Sequence, residues 1–174
     1  MTVRGATTPQ ERIFGALPYL LPMVESLVFG SFFFNQFPQI GGILILVLSP
    51  VIAIYNAFPL MGLIIFFALF MLVVRNENLP HFIRFNTLQA IMLMICLSII
   101  KVLLFSVIGP LVGLAILPGL QVAVAGPAEF LVEILFNFVF FGVIAASVYG
   151  IVQVIRGHYP DIPTLSDMVY MQLP

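Results

Sequence analysis

RNENLPHFIRFNTLQA, residues 75–90, is the polar stretch that interrupts a long apolar sequence and decides the fold. Pro80 cannot continue a helix because its ring removes a backbone donor, and the nearby asparagines suit a turn. The apolar runs stop at Arg75 and resume after Arg84, so these two arginines mark the edges of the polar stretch. We therefore predict a tight loop between two membrane-spanning helices, with both arginines at the lipid headgroups.

The composition of the chain is that of an integral membrane protein. Of its 174 residues, 62% are hydrophobic and only 7% are charged, and a soluble domain of this size cannot bury so much apolar surface. The formal net charge of −1 provides no basic surface, so nucleic acid is not an expected partner. The single cysteine and two separate histidines form no metal-ligand pattern, and we expect neither a metal nor a cofactor.

The apolar runs predict an all-α, polytopic bundle that forms one membrane domain over residues 1–174. Four transmembrane helices are predicted, at residues 13–34, 59–75, 84–106 and 128–155, and Pro18 and Pro22 should kink the first. Glycines and prolines in residues 109–119 predict a loose connection, and residues 157–174 form a polar tail. The first apolar run is too long for a secretory signal, so we expect it to remain in the mature protein.

The arginines indicate how the apolar residues 40–57 lie. If this segment crosses the membrane, the chain has five spans, and Arg75, Arg84 and Arg156 lie opposite the two N-terminal arginines. If it does not cross, all five arginines lie on one side, which the positive-inside bias favours. We therefore predict a re-entrant or interfacial segment, bent or broken at Pro50, and both termini on the cytoplasmic or stromal side.

Two ionisable residues fall inside the predicted spans. Glu25 lies about 19 Å along its helix from Arg12, and Lys101 lies about 25 Å from Arg84. Intramembrane charges usually face a bundle interior or a water-filled cavity, which makes both residues candidates for a polar path. The alternative is structural: Lys101 extends to the interface, while Glu25 is protonated or bonded to its own helix.

Two amides lie at the start of the third span. Asn86 and Gln89 share one helix face there and are available for interhelical hydrogen bonds. Arg84 points well away from that face, so we expect it to be free for headgroups or for an acidic partner.

The last helix carries a polar pattern and a small-residue pattern. Glu129 and Glu133 lie four residues apart at its start, where they complement the positive end of the helix dipole. With Asn137 they form a polar stripe that either caps the helix or lines a cavity. The small residues recur every four positions and favour close approach of another helix; they are Gly142, Ala146 and Gly150.

The tail contains IPTLSD at residues 162–167. Its candidate interaction residues are Asp161, Ser166 and Asp167. The tail either docks a soluble or peripheral partner or caps the bundle near Arg84. The chain contains no HExxH, no GxSxG and no phosphate-cradling glycine loop, so we do not expect an enzyme.

Three stretches resemble one known family. VVRNENLPHFIRFNTLQAI, residues 73–91, resembles the corresponding stretch of the Tic20 family. RIFGALPYLLPMVESLVFG, residues 12–30, is similar to the first helix of that family, and HYPDIPTLSDMVYMQLP, residues 158–174, to its carboxy-terminal tail. Met94 and Ile95 depart from the family pattern, in which a more acidic pair is expected.

The resemblance implies a four-span subunit of the chloroplast inner envelope translocon, with relatives in cyanobacteria and algal plastids. It further implies a role in moving precursor proteins across the membrane, with other translocon subunits and precursor polypeptides as partners. Because no transit peptide is recognisable, we expect a cyanobacterial or plastid-encoded member. The alternative function is a small-solute or ion transporter or channel, although no inverted repeat is visible.

Overall fold

The computed structural model describes residues 7–114, 121–163 and 165–173, without the side chains of residues 107–114 and 121–129. This part of the chain is helical and contains no strand. Its six helices are α1 (Pro9–Gln36), α2 (Pro38–Tyr55), α3 (Met61–Val74), α4 (His81–Leu114), α5 (Gln121–Ile155) and α6 (Leu165–Gln172).

Within the described residues, four helices are long and apolar enough to cross a membrane. They are α1, α2, residues His81–Ser106 of α4 and residues Phe130–Ile155 of α5. The predicted all-α membrane bundle is therefore confirmed, as is the number of such helices. The set differs from the predicted spans. α2 occupies most of the segment 40–57, whereas α3, which lies within the predicted span 59–75, is too short to be one of the four.

Pro50 lies inside α2 without breaking it. A proline within a helix leaves the carbonyl group four residues earlier without its usual N–H donor. Here the Ser49 hydroxyl donates to the carbonyl oxygen of Leu46 at 2.7 Å and replaces that donor. The expected break is absent because the residue before the proline supplies the missing hydrogen bond.

The prolines of the other long helices have different effects. In α1, Pro18 lies in a short 3₁₀ segment, Leu17–Tyr19, so the predicted distortion takes the form of a local change in helix type. The backbone of α4 remains helical to Leu114, and that of α5 is helical from Gln121. The predicted connection 109–119 is therefore helical over residues 109–114. Residues 115–120 lie outside the described part of the chain.

The core of the bundle is divided into two clusters. The first surrounds Tyr19 and Phe85 and includes buried residues of α4, α5 and the tail. The second is rich in phenylalanine and is centred on Phe29, Leu97 and Phe140, nearer the carboxy-terminal end of α1. Edge-to-face ring contacts stabilise the second cluster; one is Phe29 with Phe136, at 5.2 Å between ring centroids.

The first cluster lies at the end of the bundle that carries the arginines. Arg12, Arg156 and His81 line one cavity there, although they come from three separate parts of the chain. Nη1 of Arg12 donates to the Ile155 carbonyl at 3.3 Å, which places a cation at the negative end of α5. We call this the arginine end of the bundle, and the opposite end, around Phe34, the aromatic end.

Candidate functional site

A buried polar network lies beneath the arginine end. Tyr19 in α1 and Asn86 and Gln89 in α4 have no exposed side-chain surface. The Tyr19 hydroxyl donates to Oε1 of Gln89 at 2.7 Å and lies 3.3 Å from Oδ1 of Asn86. The two amides that share a face of α4 therefore bond a neighbouring helix. Asn86 also donates to the Phe82 carbonyl at 2.7 Å, within its own helix.

The tail completes this network from the other side. Nε2 of Gln89 donates to Ser166 Oγ at 2.9 Å and to the Pro160 carbonyl at 3.2 Å. Ser166 in turn accepts from the backbone N–H of Ile162 at 2.8 Å and donates to the Pro160 carbonyl at 3.1 Å. We call Tyr19, Asn86, Gln89, Ser166 and the Pro160 carbonyl the polar network; every member has a partner within it.

Apolar contacts hold the tail against the same end. Leu165 and Val169 of α6, and Leu173 directly after it, are four residues apart and are buried in the first core cluster. The Tyr159 ring packs edge-to-face on Phe85 at 5.0 Å between centroids. Of the two arrangements that the sequence left open, the tail adopts the one that caps the bundle. Asp161 and Asp167 are exposed on its surface.

Replacing Ser166 with alanine should lower the free energy of unfolding by about 1 to 2 kcal/mol, because Gln89 and Ile162 would lose a buried acceptor. Thermal unfolding in detergent measures this change. Met171→Ala is a matched control in the same helix, because that side chain is 83% exposed. Equal melting of both variants and the wild type would contradict the bonded role of Ser166.

The two arginines of the loop differ in their surroundings. Arg75 is exposed at the end of α3. Nε of Arg84 donates to the Val74 carbonyl at 2.9 Å, where a π-helical turn, Leu69–Val74, leaves carbonyls without partners. The expectation that Arg84 is free was wrong in this respect, because the end of α3 supplies an acceptor within reach.

Glu25 lies in a different region, on the wall of a lateral groove. The Tyr55 hydroxyl, at the end of α2, donates to its carboxylate. This groove has a volume of about 830 Å³ and lies between α1, the α2–α3 turn and α4; we call it the lateral groove. Its wall is apolar apart from Glu25, Tyr55, Asn56 and Ser98.

The remaining candidates whose side chains the structure describes do not join either site. Lys101 is exposed on α4 and attracts the Glu25 carboxylate electrostatically, but it does not line the lateral groove. Glu133 is half-buried on α5. Oδ1 of Asn137 is buried and has no hydrogen-bond partner among the described residues. The side chain of Glu129 lies outside the described part of the chain.

Two tyrosines in these sites were missed by the sequence analysis. Tyr19 and Tyr55 both lie in apolar segments, where they were counted as hydrophobic residues. A tyrosine hydroxyl in such a segment nevertheless needs a partner when it is buried, and that requirement was the available signal. Nothing local in the sequence pairs Tyr19 with Gln89, because the two residues are 70 positions apart.

Comparison with known proteins places the chain in a family. The family model described as "Chloroplast import apparatus Tic20-like" matches residues 6–169. A Tic20 family protein of Synechocystis sp. is 40% identical over 173 residues, which cover 99% of each chain. Protein TIC 20-II, chloroplastic, of Arabidopsis thaliana is 32% identical over 176 residues, covering 99% of this chain and 78% of that one.

A red algal relative extends the match to a third group of organisms. The Tic20 family protein Ycf60 of Porphyra purpurea is 29% identical over 182 residues, covering 99% of this chain and 80% of that one. The family match includes all three segments that supply the polar network: residues 12–30, the loop with its following helix, and the part of the tail with Pro160 and Ser166. This chain, a membrane protein with four long apolar helices, belongs to the Tic20 family.

Proposed function

We propose that this chain is a membrane-embedded subunit of a complex that moves polypeptides across a membrane. The observation that carries this proposal is the match of residues 6–169 to a family described as import apparatus. Its partners are other subunits of the complex and the precursor polypeptides in transit. The chain contributes structure and binding surface, and no catalytic step is assigned to it.

The arrangement of polar groups supports this role over that of a small-solute transporter acting alone. The members of the polar network bond one another and lie under the tail. Between Tyr19 and Glu25, α1 carries only LLPMV, residues 20–24, so no polar residue of α1 connects the network with the lateral groove. A transporter binds its substrate at a polar site near the midplane of the membrane. Such a site needs polar groups that connect it with both membrane surfaces.

We further propose that α1, α4 and α5 connect the two membrane surfaces, that α2 is re-entrant from the aromatic end, and that α3 returns the chain from within the membrane to the arginine end. A Cβ atom at Gly41 would lie 2.7 Å from the Phe34 ring, so α2 begins beside the end of α1. Its last residue, Tyr55, bonds Glu25. The facing residues of α1, Phe34 and Glu25, lie only about 13 Å apart along α1, whereas Gly41 and Tyr55 lie about 21 Å apart along α2, which supports an oblique helix.

The return of the chain to the arginine end supports the same topology. α3 is about 21 Å long, shorter than the hydrocarbon core, and it ends at the carbonyl that Arg84 binds. The preceding turn then lies inside the membrane, where it lines the lateral groove. Its backbone N–H groups at Asn56 and Ala57 bond carbonyls of α2, as a re-entrant turn requires.

Cysteine labelling in intact membranes tests this topology. With Cys96 replaced by serine, we expect a cysteine at Asn78 to react only from the cytoplasmic or stromal side and one at Gln36 only from the opposite side. A cysteine at Ala57 should either share the sidedness of Gln36 or stay unreactive within the groove. If Ala57 and Gln36 react from opposite sides, α2 crosses the membrane and the chain has five spans.

The proposed function predicts a large assembly in the native membrane. The tagged full chain, extracted in mild detergent, should migrate far above its own 19.2 kDa and carry further membrane subunits with it. Vesicles that contain the purified chain alone should not conduct ions or small solutes. A chain that migrates without other subunits and conducts on its own would favour the transporter instead.

A further inference from the structure

The lateral groove is open on the side that faces away from the bundle. On α4 it runs from Met94 to Leu103, a length of about 13 Å, or two and a half helical turns. Ile99 is 55% exposed and Val102 is 68% exposed along this run. The opposite wall is the α2–α3 turn, in which Phe58 and Leu60 are also exposed. The groove therefore has the length and the lateral access that a packed helix needs.

Glu25 makes this groove different from an ordinary lipid-facing surface. It lies about 19 Å along α1 from Arg12, which places its carboxylate below the headgroups and within the hydrocarbon. The hydroxyl of Tyr55 is its hydrogen-bond partner from the same wall. Carboxylates at such depth are rare, and they usually face a bundle interior, a cavity or a charged partner.

The depth of Glu25 selects between the two possible classes of occupant. An acyl chain carries no hydrogen-bond donor at that depth, so a lipid would leave the carboxylate without a new partner. A polypeptide helix can present a donor at any depth, and an ammonium or guanidinium group complements the carboxylate in charge. The wall on either side of Glu25 is apolar and suits the remaining face of such a helix.

We propose that the lateral groove binds an apolar membrane helix of a second polypeptide that carries one basic side chain, which bonds Glu25. This rests on the proposed function and deepens it, because it specifies the kind of segment that a translocated or partner polypeptide presents. Tyr55 is the resident partner of Glu25 and gives up this bond when the basic side chain arrives. Gly62 allows the Tyr55 ring to occupy this position, since a Cβ atom there would lie 2.6 Å from the tyrosine oxygen.

A reconstituted crosslinking experiment tests the groove by itself. The full chain, with a benzophenone amino acid at Ile99, is placed in phosphatidylcholine vesicles with a synthetic Leu/Ala helix of about 22 residues. One helix carries a central lysine, and the matched helix carries leucine there. An intramembrane hydrogen bond corresponds to an about threefold to thirtyfold preference, so the lysine helix should crosslink more by that factor.

Variants of the groove and a second probe position provide the controls. Glu25→Gln should abolish the preference for lysine, whereas Tyr55→Phe should increase it by freeing the carboxylate. The same probe at Phe138, which is 78% exposed on α5 and outside the groove, should show no preference. Melting curves of each variant establish that the bundle is still folded, and Tyr55→Phe keeps the test valid if Glu25→Gln unfolds.

Three outcomes would overturn the proposal. They are equal crosslinking of both helices at Ile99, an undiminished lysine preference in Glu25→Gln, and labelling of Ile99 by a photoactivatable lipid with neither helix crosslinked. The experiment contains no other subunit and no precursor protein. A negative crosslinking result would therefore not contradict the predicted native assembly. Failure to find that assembly would likewise not contradict a positive crosslinking result.

Discussion

Replacing Gln89 with leucine should lower the free energy of unfolding by about 2 to 5 kcal/mol, because three buried hydrogen bonds are lost together. Leucine has a similar volume, so packing changes little. Ser166 Oγ and the Pro160 carbonyl would each lose a donor, and Tyr19 would keep only its 3.3 Å contact with Asn86. Unfolding of the purified chain in mixed detergent micelles measures the change.

Thr87 provides a matched control within the same helical turn. It is as deeply buried as Gln89, but its hydroxyl has no hydrogen-bond partner among the described residues. Thr87→Val keeps the shape and removes only that hydroxyl, so it should leave stability unchanged or raise it slightly. If Thr87→Val destabilises the bundle as much as Gln89→Leu, then local packing explains the effect and the polar network does not.

Replacing Gly150 with valine should destabilise the bundle by about 1 to 3 kcal/mol or more, through overpacking. A Cβ atom at Gly150 would lie 2.6 Å from Cε1 of Tyr19, which is fully buried. The added side chain must displace that ring, and with it the hydroxyl that joins α1 to α4. Thermal melting in detergent measures the loss.

Gly142 belongs to the same four-residue repeat and serves as the control. A Cβ atom there meets none of the described residues within 4 Å, so Gly142→Val should leave stability nearly unchanged. A double-mutant cycle adds a sharper test, because Tyr19→Ala removes the ring that the valine side chain of Gly150→Val would strike. The two changes should be strongly non-additive; additive losses would mean that Gly150 matters for a reason other than contact with Tyr19.

Periodicity in the sequence was enough to predict much of the fold. The apolar runs predicted an all-α membrane bundle, and the spacing of Asn86 and Gln89 placed both amides on one helix face. The bond from Tyr19 to that face and the closure by Ser166 could not be predicted, because they join residues about 70 positions apart. Local patterns define the faces of a helix but not which distant element packs on each face.

The continuation of α2 through Pro50 and the hydrogen bond of Arg84 were not predicted, because both depend on an unpaired backbone carbonyl. α2 continues through Pro50 because the Ser49 hydroxyl bonds the carbonyl that the proline leaves free. Arg84 was expected to be free, but the end of α3 offers it the Val74 carbonyl. In both cases one side chain compensates an unpaired backbone group, and composition alone does not reveal such compensation.

The roles of the charged residues in transport remain predictions. The two acidic residues Asp161 and Asp167, on the exposed surface of the tail, are available to peripheral subunits at the arginine end. Arg75 lies at the same end, and its exposure suits contact with headgroups or with an acidic partner. These residues are therefore suitable positions for probes that look for partners in the native assembly.

The central claim is that polypeptides in transit pass this chain, and an arrested precursor tests it most directly. A precursor fused to a tightly folded domain is halted in the native membrane, with photoreactive probes in this chain at Ile99 and Asn78. We predict a crosslinked product of the chain with the arrested precursor, which disappears when the fused domain is allowed to unfold and transit finishes. Translocation that halts and resumes normally, with no such product at either position, would contradict the proposed function.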